Sequence, residues 1–152
     1  MSSHQISCTC GQARAVVSVM PALRFRCHCT RCQSVYQAPY ADALVLRRGQ
    51  VRLEDPEQVD WMRTMRPSPL VRGLCASCRE PVLAHFFAAF SIIPTRLMPK
   101  DQVPPVGHDV YYRTRIAGMQ DTVPRHDTMI ASYLGLALPF ARVLALPGRR
   151  FA

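Results

Sequence analysis

Apolar and polar positions alternate in short runs over the first half of the chain, the period-two signature of half-buried strands. Ala13, Ala15, Val17 and Val19 share one face, with Arg14, Val16 and Ser18 between them, after a turn at Cys10 and Gly11. Pro21 closes that run. Leu23, Phe25 and Cys27 then alternate with Arg24 and Arg26, so a second strand leads directly into a group of cysteines. Residues 40–46 predict a third strand, and Gly49 marks a turn before Val51 and Leu53. A strand over 70–74 enters the last cysteine pair, one over 82–87 leaves it, and 110–112 predicts another. Pro94, Pro99, Pro104, Pro105 and Pro124 argue against long helices in the second half. The segment after Asp127 is the best helix candidate, at least as far as Leu138. No repeat or low-complexity stretch interrupts the pattern. The expectation is a mainly β domain over residues 1–127 with a short helical or irregular C-terminal extension over 128–152.

Composition narrows this picture. With 152 residues, 49% of them hydrophobic, the chain suits one domain with a sizeable core. A charged fraction of 19% excludes wholesale disorder. The formal charge is +9, and every basic residue but Lys100 is an arginine. Arginine forks suit carboxylates and phosphates, although a GC-rich genome produces the same bias. Nucleic acid is not the expected partner: the arginines are scattered, and only Arg149 and Arg150 beside Phe151 pair basic with aromatic character. Residues 128–141 are uncharged, but they hold Gly135 and Pro139 and fall short of the roughly 20 apolar residues of a spanning helix. A core-packing or subunit-contact role is expected there, and no membrane role. Residues 1–10 lack a basic stretch followed by an apolar one, so no secretory signal is read and a cytoplasmic location is expected.

Seven cysteines then become the main chemical feature. An odd count in a reducing compartment is a poor disulfide framework. They fall in three clusters: Cys8 and Cys10; Cys27, Cys29 and Cys32; Cys75 and Cys78. Sulfurs one or two residues apart on a tight turn lie near enough to share a metal, and zinc takes four such ligands in a tetrahedron. Seven sulfurs complete one closed site and leave three, and a three-ligand zinc keeps a position open for water or substrate. Spacing leaves two partitions. One joins Cys8, Cys10, Cys75 and Cys78 and leaves Cys27, Cys29 and Cys32 on one loop, which is easier to hold in shape. The other builds a zinc ribbon from Cys29, Cys32, Cys75 and Cys78. With two zinc ions and seven thiolates the charge falls to about +6. Cysteines serving only as small buried apolar side chains would not explain three tight clusters.

C-x-C-G near the N-terminus, then C-H-C-x-x-C, then C-x-x-C some way downstream, resembles the glutathione-dependent formaldehyde-activating enzyme and centromere protein V family. The likeness runs over roughly residues 6–87, with weaker echoes at 108–112 and 121–125. It implies a β-tent zinc-binding fold of small antiparallel sheets, pinned by a structural zinc on Cys8, Cys10, Cys75 and Cys78. It also implies a catalytic zinc on Cys27, Cys29 and Cys32, hence two Zn2+ per chain. The implied activity is that of a carbon–sulfur lyase resembling S-(hydroxymethyl)glutathione synthase, with glutathione or another small thiol and an aldehyde as partners. Two departures point to a changed substrate: Arg79 stands where the family commonly has glycine after the last pair, and residues 33–37 lack a glycine common beside the central cluster.

Three thiolates make zinc a mild Lewis acid, so thiol chemistry is expected ahead of water activation. Arg24, Arg26 and Arg31 are candidates for binding substrate carboxylates, or else belong to solvated strand faces and loops. His28 is expected to point away from the metal in a packing role, and His85 to be a core histidine. His4, His108 and His126 have no assignable place, and no general base is assigned. The competing expectation is a non-catalytic zinc-ribbon-like module that binds protein or nucleic acid; a third is a relic of an enzyme.

Overall fold

The computed structural model describes residues 2–152, which form eleven strands and two α-helices. In chain order these are β1 (His4–Ser7), β2 (Arg14–Val17), β3 (Leu23–Cys27), α1 (Thr30–Tyr36), β4 (Ala41–Arg47), β5 (Val51–Leu53) and β6 (Val59–Met62). There follow β7 (Leu70–Cys75), β8 (Pro81–Phe86), β9 (Phe90–Pro94), β10 (His108–Val110), β11 (Arg125–His126) and α2 (Met129–Ala145). A small sheet runs β1-β2-β5, and an eight-stranded sheet runs β11-β10-β3-β4-β9-β8-β7-β6. The chain is mainly β, as its alternation predicts. Ladders are antiparallel except where β10 lies parallel to both β3 and β11.

The centre of the large sheet explains why β4 reads as a nearly continuous apolar run. Ala41, Ala43 and Val45 face a core shared with Phe25, Phe90, Ile92 and Phe140. Leu44 and Leu46 face the opposite way, into a core with Ile6, Ala15, Val17 and Ile93 that the small sheet covers. A strand buried on both faces loses its polar positions. β9 follows the same rule, all five of its residues being buried.

α2 is where the structure goes furthest beyond the sequence pattern. Thr128 caps it, its Oγ1 accepting from the Ala131 N–H at 3.2 Å. The helix continues through Pro139 and packs across β3, β4 and β10. Phe140 anchors it, meeting Phe90 edge-on at 4.6 Å and Phe86 at 5.6 Å between ring centroids. Gly135 permits the close approach to β11, since a Cβ there would fall 2.2 Å from the His126 ring. No helix among the described residues is long and apolar enough to cross a membrane.

Candidate metal centres

The first partition of the cysteines is the one the fold brings together. Cys8 and Cys10 lie on the turn leaving β1, in the small sheet; Cys75 ends β7 and Cys78 lies on the turn into β8, in the large one. Their four sulfurs lie within 4.8 Å of one another. Cys8 Sγ is 3.4 Å from Cys10 Sγ, which is 3.6 Å from Cys75 Sγ. Zn–S bonds of about 2.3 Å in a tetrahedron give edges of about 3.8 Å, so this donor set fits a zinc ion. The two turns are also tied directly: the Thr9 N–H and hydroxyl donate to the Glu80 carboxylate at 2.8 and 2.7 Å. These bonds hold the Glu80 carboxyl below its usual range, the Thr9 N–H contributing most. Burial opposes ionisation of Cys75, but N–H groups of Cys78 and Ser77 and the thiols of Cys8 and Cys10 outweigh it, lowering its pKa to about 6. Arg79, in the family's glycine position, has φ 63°. The turn does take a left-handed residue there, and arginine occupies it at some conformational cost.

Cys27, Cys29 and Cys32 form the second group, their sulfurs again within 4.8 Å of one another. Cys27 ends β3, Cys29 is the N-cap of α1 and Cys32 lies inside α1. The helix is absent from the sequence reading because seven residues give too short a periodic signal. The Cys32 N–H reaches Cys29 Sγ at 3.4 Å. Thiol hydrogen bonds from Cys27 and Cys32, with smaller help from that N–H and Arg72, lower the Cys29 pKa to about 2. The thiolate of this group is thus favoured at Cys29, while the hydrogen bonds to it and burial push the thiols of Cys27 and Cys32 up.

Arg72 was missed by the sequence reading, though an arginine inside the apolar strand 70–74 was a visible signal. It is 6% exposed and donates to Cys32 Sγ at 3.4 Å and Thr64 Oγ1 at 3.0 Å. Among the described residues it has no carboxylate partner. Its charge is held against the thiol group and the Thr64 hydroxyl.

Behind the cysteines lies a second unanticipated feature. Asp109, on β10, is fully buried and takes a bidentate fork from Arg26 at 2.7 and 2.8 Å. The same carboxylate is 2.8 Å from His28 Nε2, and Arg26 reaches Asp121 at 2.9 Å. His28, buried between Tyr40 and Tyr112, packs in the supporting role expected of it. Its Nδ1 has no hydrogen-bond partner among the described residues. The parallel β10–β3 ladder sets Asp109 opposite Arg26, and so fixes the strand that carries Cys27.

Beside the three cysteines lies a cavity of about 470 Å3. All three line it, and none of the other four does. Phe25, Phe86, Phe90 and Phe140 supply aromatic walls, so α2 closes one side. Tyr36, from the glycine-free segment after the central cluster, also borders it, and burial raises its pKa above the ordinary phenol value. The arginine expectations need correction. Arg24 is engaged by Asp42 at 2.8 and 2.7 Å and Arg26 by Asp109 and Asp121, so neither reaches the cavity. Arg31 does line it. His85 is half-buried and stacks on Trp61 at 4.8 Å, His108 pairs with His126 at 3.2 Å, and His4 lies against Phe151. Among the described residues no histidine lines the cavity.

A mainly β scaffold carrying one closed four-cysteine cluster and one three-cysteine cluster on a pocket defines the class of protein. The chain belongs to the glutathione-dependent formaldehyde-activating enzyme family, whose sequence model matches residues 3–113. The fold is similar to the crystal structure of a Rhodobacter sphaeroides protein, with a TM-score of 0.55 and 16% identity. That alignment covers 80% of this chain and 99% of the other. No curated protein matches the sequence. Membership ties the chain to glutathione- and formaldehyde-related chemistry, and its two clusters are able to hold metal ions.

Proposed function

We propose that this chain is a zinc-dependent carbon–sulfur lyase-type enzyme, resembling S-(hydroxymethyl)glutathione synthase, that interconverts a thiol plus an aldehyde with their adduct. Cys27, Cys29 and Cys32 would hold the catalytic zinc, and Cys8, Cys10, Cys75 and Cys78 a structural one. The supporting observation is the asymmetry between the clusters: the three-sulfur set opens on a cavity and the four-sulfur set does not. Zinc held by three thiolates supplies an exchangeable position and stabilises a substrate thiol as its anion.

In the addition direction the sulfur lone pair forms a bond to the aldehyde carbon. The carbonyl π pair moves to oxygen, and the proton lost by the thiol ends on that oxygen. No redox partner is needed. The chain's own residues prepare this step. Arg72 offsets the negative charge of the cysteine group, Phe86, Phe90 and Phe140 wall the cavity, and the His28–Asp109–Arg26 network holds the cysteine loop. No histidine, lysine, aspartate or glutamate lines the cavity among the described residues, so proton exchange with water fits better than a dedicated base. The binding-module alternative is less well supported, because it gives no role to a three-sulfur group that opens on an apolar cavity. The expected setting is the cytoplasm.

The test is a pair of variants in zinc-replete protein, assayed for thiol–aldehyde adduct formation and by circular dichroism. Cys29→Ser should abolish activity with the fold retained. Cys78→Ser should lose the fold, because structural zinc contributes folding free energy directly. Full activity in Cys29→Ser, or equal unfolding in both, overturns the division of roles.

A further inference from the structure

The cavity beside Cys29 is large, apolar and poor in charge. Its 470 Å3 falls within the roughly 300–1,000 Å3 of pockets for drug-sized ligands. Formaldehyde is little larger than water, whose share of liquid volume is about 30 Å3; alone it would leave most of this space unfilled. Glutathione would bring carboxylates and an ammonium group. Against these the lining offers, among the described residues, two arginines and no aspartate or glutamate. Arg72 already faces the cysteine group at 3.4 Å, which leaves Arg31 as the cation for a carboxylate and, among the described residues, no lining carboxylate to pair with an ammonium. A charged group buried without a partner costs several kcal/mol. The walls favour hydrocarbon instead: Phe25, Phe86, Phe90 and Phe140 converge from β3, β8, β9 and α2, and the exposed Met129 and Tyr133 line the cavity with them.

We infer that the physiological adduct carries an apolar arm, alkyl or aryl, seated in this aromatic cavity with its sulfur–carbon bond at the cysteine group. The inference rests on the proposed thiol–aldehyde chemistry and specifies its substrate class. The bond changes are those already written, and the arm takes no part in them. It enters on the aldehyde or on the thiol; either source presents the same hydrocarbon to the same walls.

The first measurement is calorimetric binding of straight-chain alcohols, propanol to octanol, to the zinc-loaded full chain. They mimic the arm but cannot react. Affinity should rise about fourfold per methylene until the cavity is filled, and should survive in Cys29→Ser. A flat series overturns the inference. Phe87→Asp supplies a charged wall: Phe87 is 59% exposed with φ 50°, a conformation aspartate tolerates better than phenylalanine. It should weaken octanol at least tenfold, and unchanged binding counts against the site.

Turnover then distinguishes the sources. Rates are compared for propanal to octanal with 2-mercaptoethanol, and for propanethiol to octanethiol with formaldehyde. A rise with chain length in the first series places the arm on the aldehyde, and in the second on the thiol. Turnover of glutathione with formaldehyde but a flat response in both series overturns the apolar arm and leaves the catalytic reading standing. Alcohol binding without turnover of any pair overturns the catalytic reading, and the substrate assignment with it.

Discussion

Asp109→Asn probes how the fold holds the central cysteine loop. The carboxylate is completely buried and its oxygens face the Arg26 fork and His28 Nε2 at 2.7–2.8 Å. An amide keeps the shape but removes the charge, and presents an N–H2 to one of two donors. Breaking a buried pair from one side typically costs about 3–5 kcal/mol, because the remaining charge stays desolvated. Here Arg26 keeps Asp121 at 2.9 Å, a partner whose side chain is 43% exposed, so the lower end of that range, about 3 kcal/mol, is expected. The assay is urea denaturation of the zinc-replete protein, followed by far-ultraviolet circular dichroism and read as a shift in midpoint at constant slope. Asp121→Asn is the control. Its partner has the buried fork to fall back on, and its midpoint should move much less. Double substitution with Arg26→Met should recover part of the Asp109→Asn loss, since it removes the stranded cation. An Asp109→Asn protein within about 1 kcal/mol of wild type would refute the claim that this network fixes the β3–β10 pairing.

Arg72→Met should weaken metal retention at the three-cysteine group by about 10–100-fold, the usual effect of losing a group that supports metal ligands. Competition with a chelator should then strip one metal per chain well before the other, whereas wild type resists longer at that site. Stability should also depend on pH through His108, whose pKa is lowered, first by burial and then by His126 beside it. The unfolded chain binds the proton more readily, so this contribution is full above the ordinary histidine value of 6.5 and is lost as pH falls below it. His108→Asn should flatten the stability slope between about pH 6.5 and 5 relative to wild type. An identical slope in the two proteins would remove His108 from the account.

Much of the β framework was legible because period-two alternation survives wherever one face meets solvent or a second element. β3, with Arg24 and Arg26 between apolar residues, is the clearest case. β1, β6 and β9 escaped notice for different reasons. β1 and β6 are four-residue edge strands at the ends of their sheets, too short for periodicity to show. β9 is buried on both faces and so has no polar alternation. The strand expected over 110–112 stops at Val110, because Tyr111 turns left-handed at φ 51° and a short helical turn begins at Tyr112.

The site divides along similar lines. Cysteine spacing proposed the clusters but left their grouping open, since joining the first pair to the last depends on how the two sheets pack. The family resemblance supplied the grouping that spacing could not. Arg26 shows the limit of local reading. Beside the cysteines it looked available for substrate, yet β10 arrives from 83 residues downstream and engages it with Asp109. Arg72 and the aromatic cavity are tertiary in the same sense, drawing walls from strands and a helix that no local pattern connects.

The central claim is that seven cysteines form two metal centres of different character. Zinc per chain, measured by elemental analysis of protein purified without chelators or a metal-binding tag, tests it most directly. The wild type should hold two zinc ions and the folded Cys29→Ser variant one, about the difference expected when a three-thiolate site loses a ligand. One zinc in both proteins, or two in both, would contradict the account.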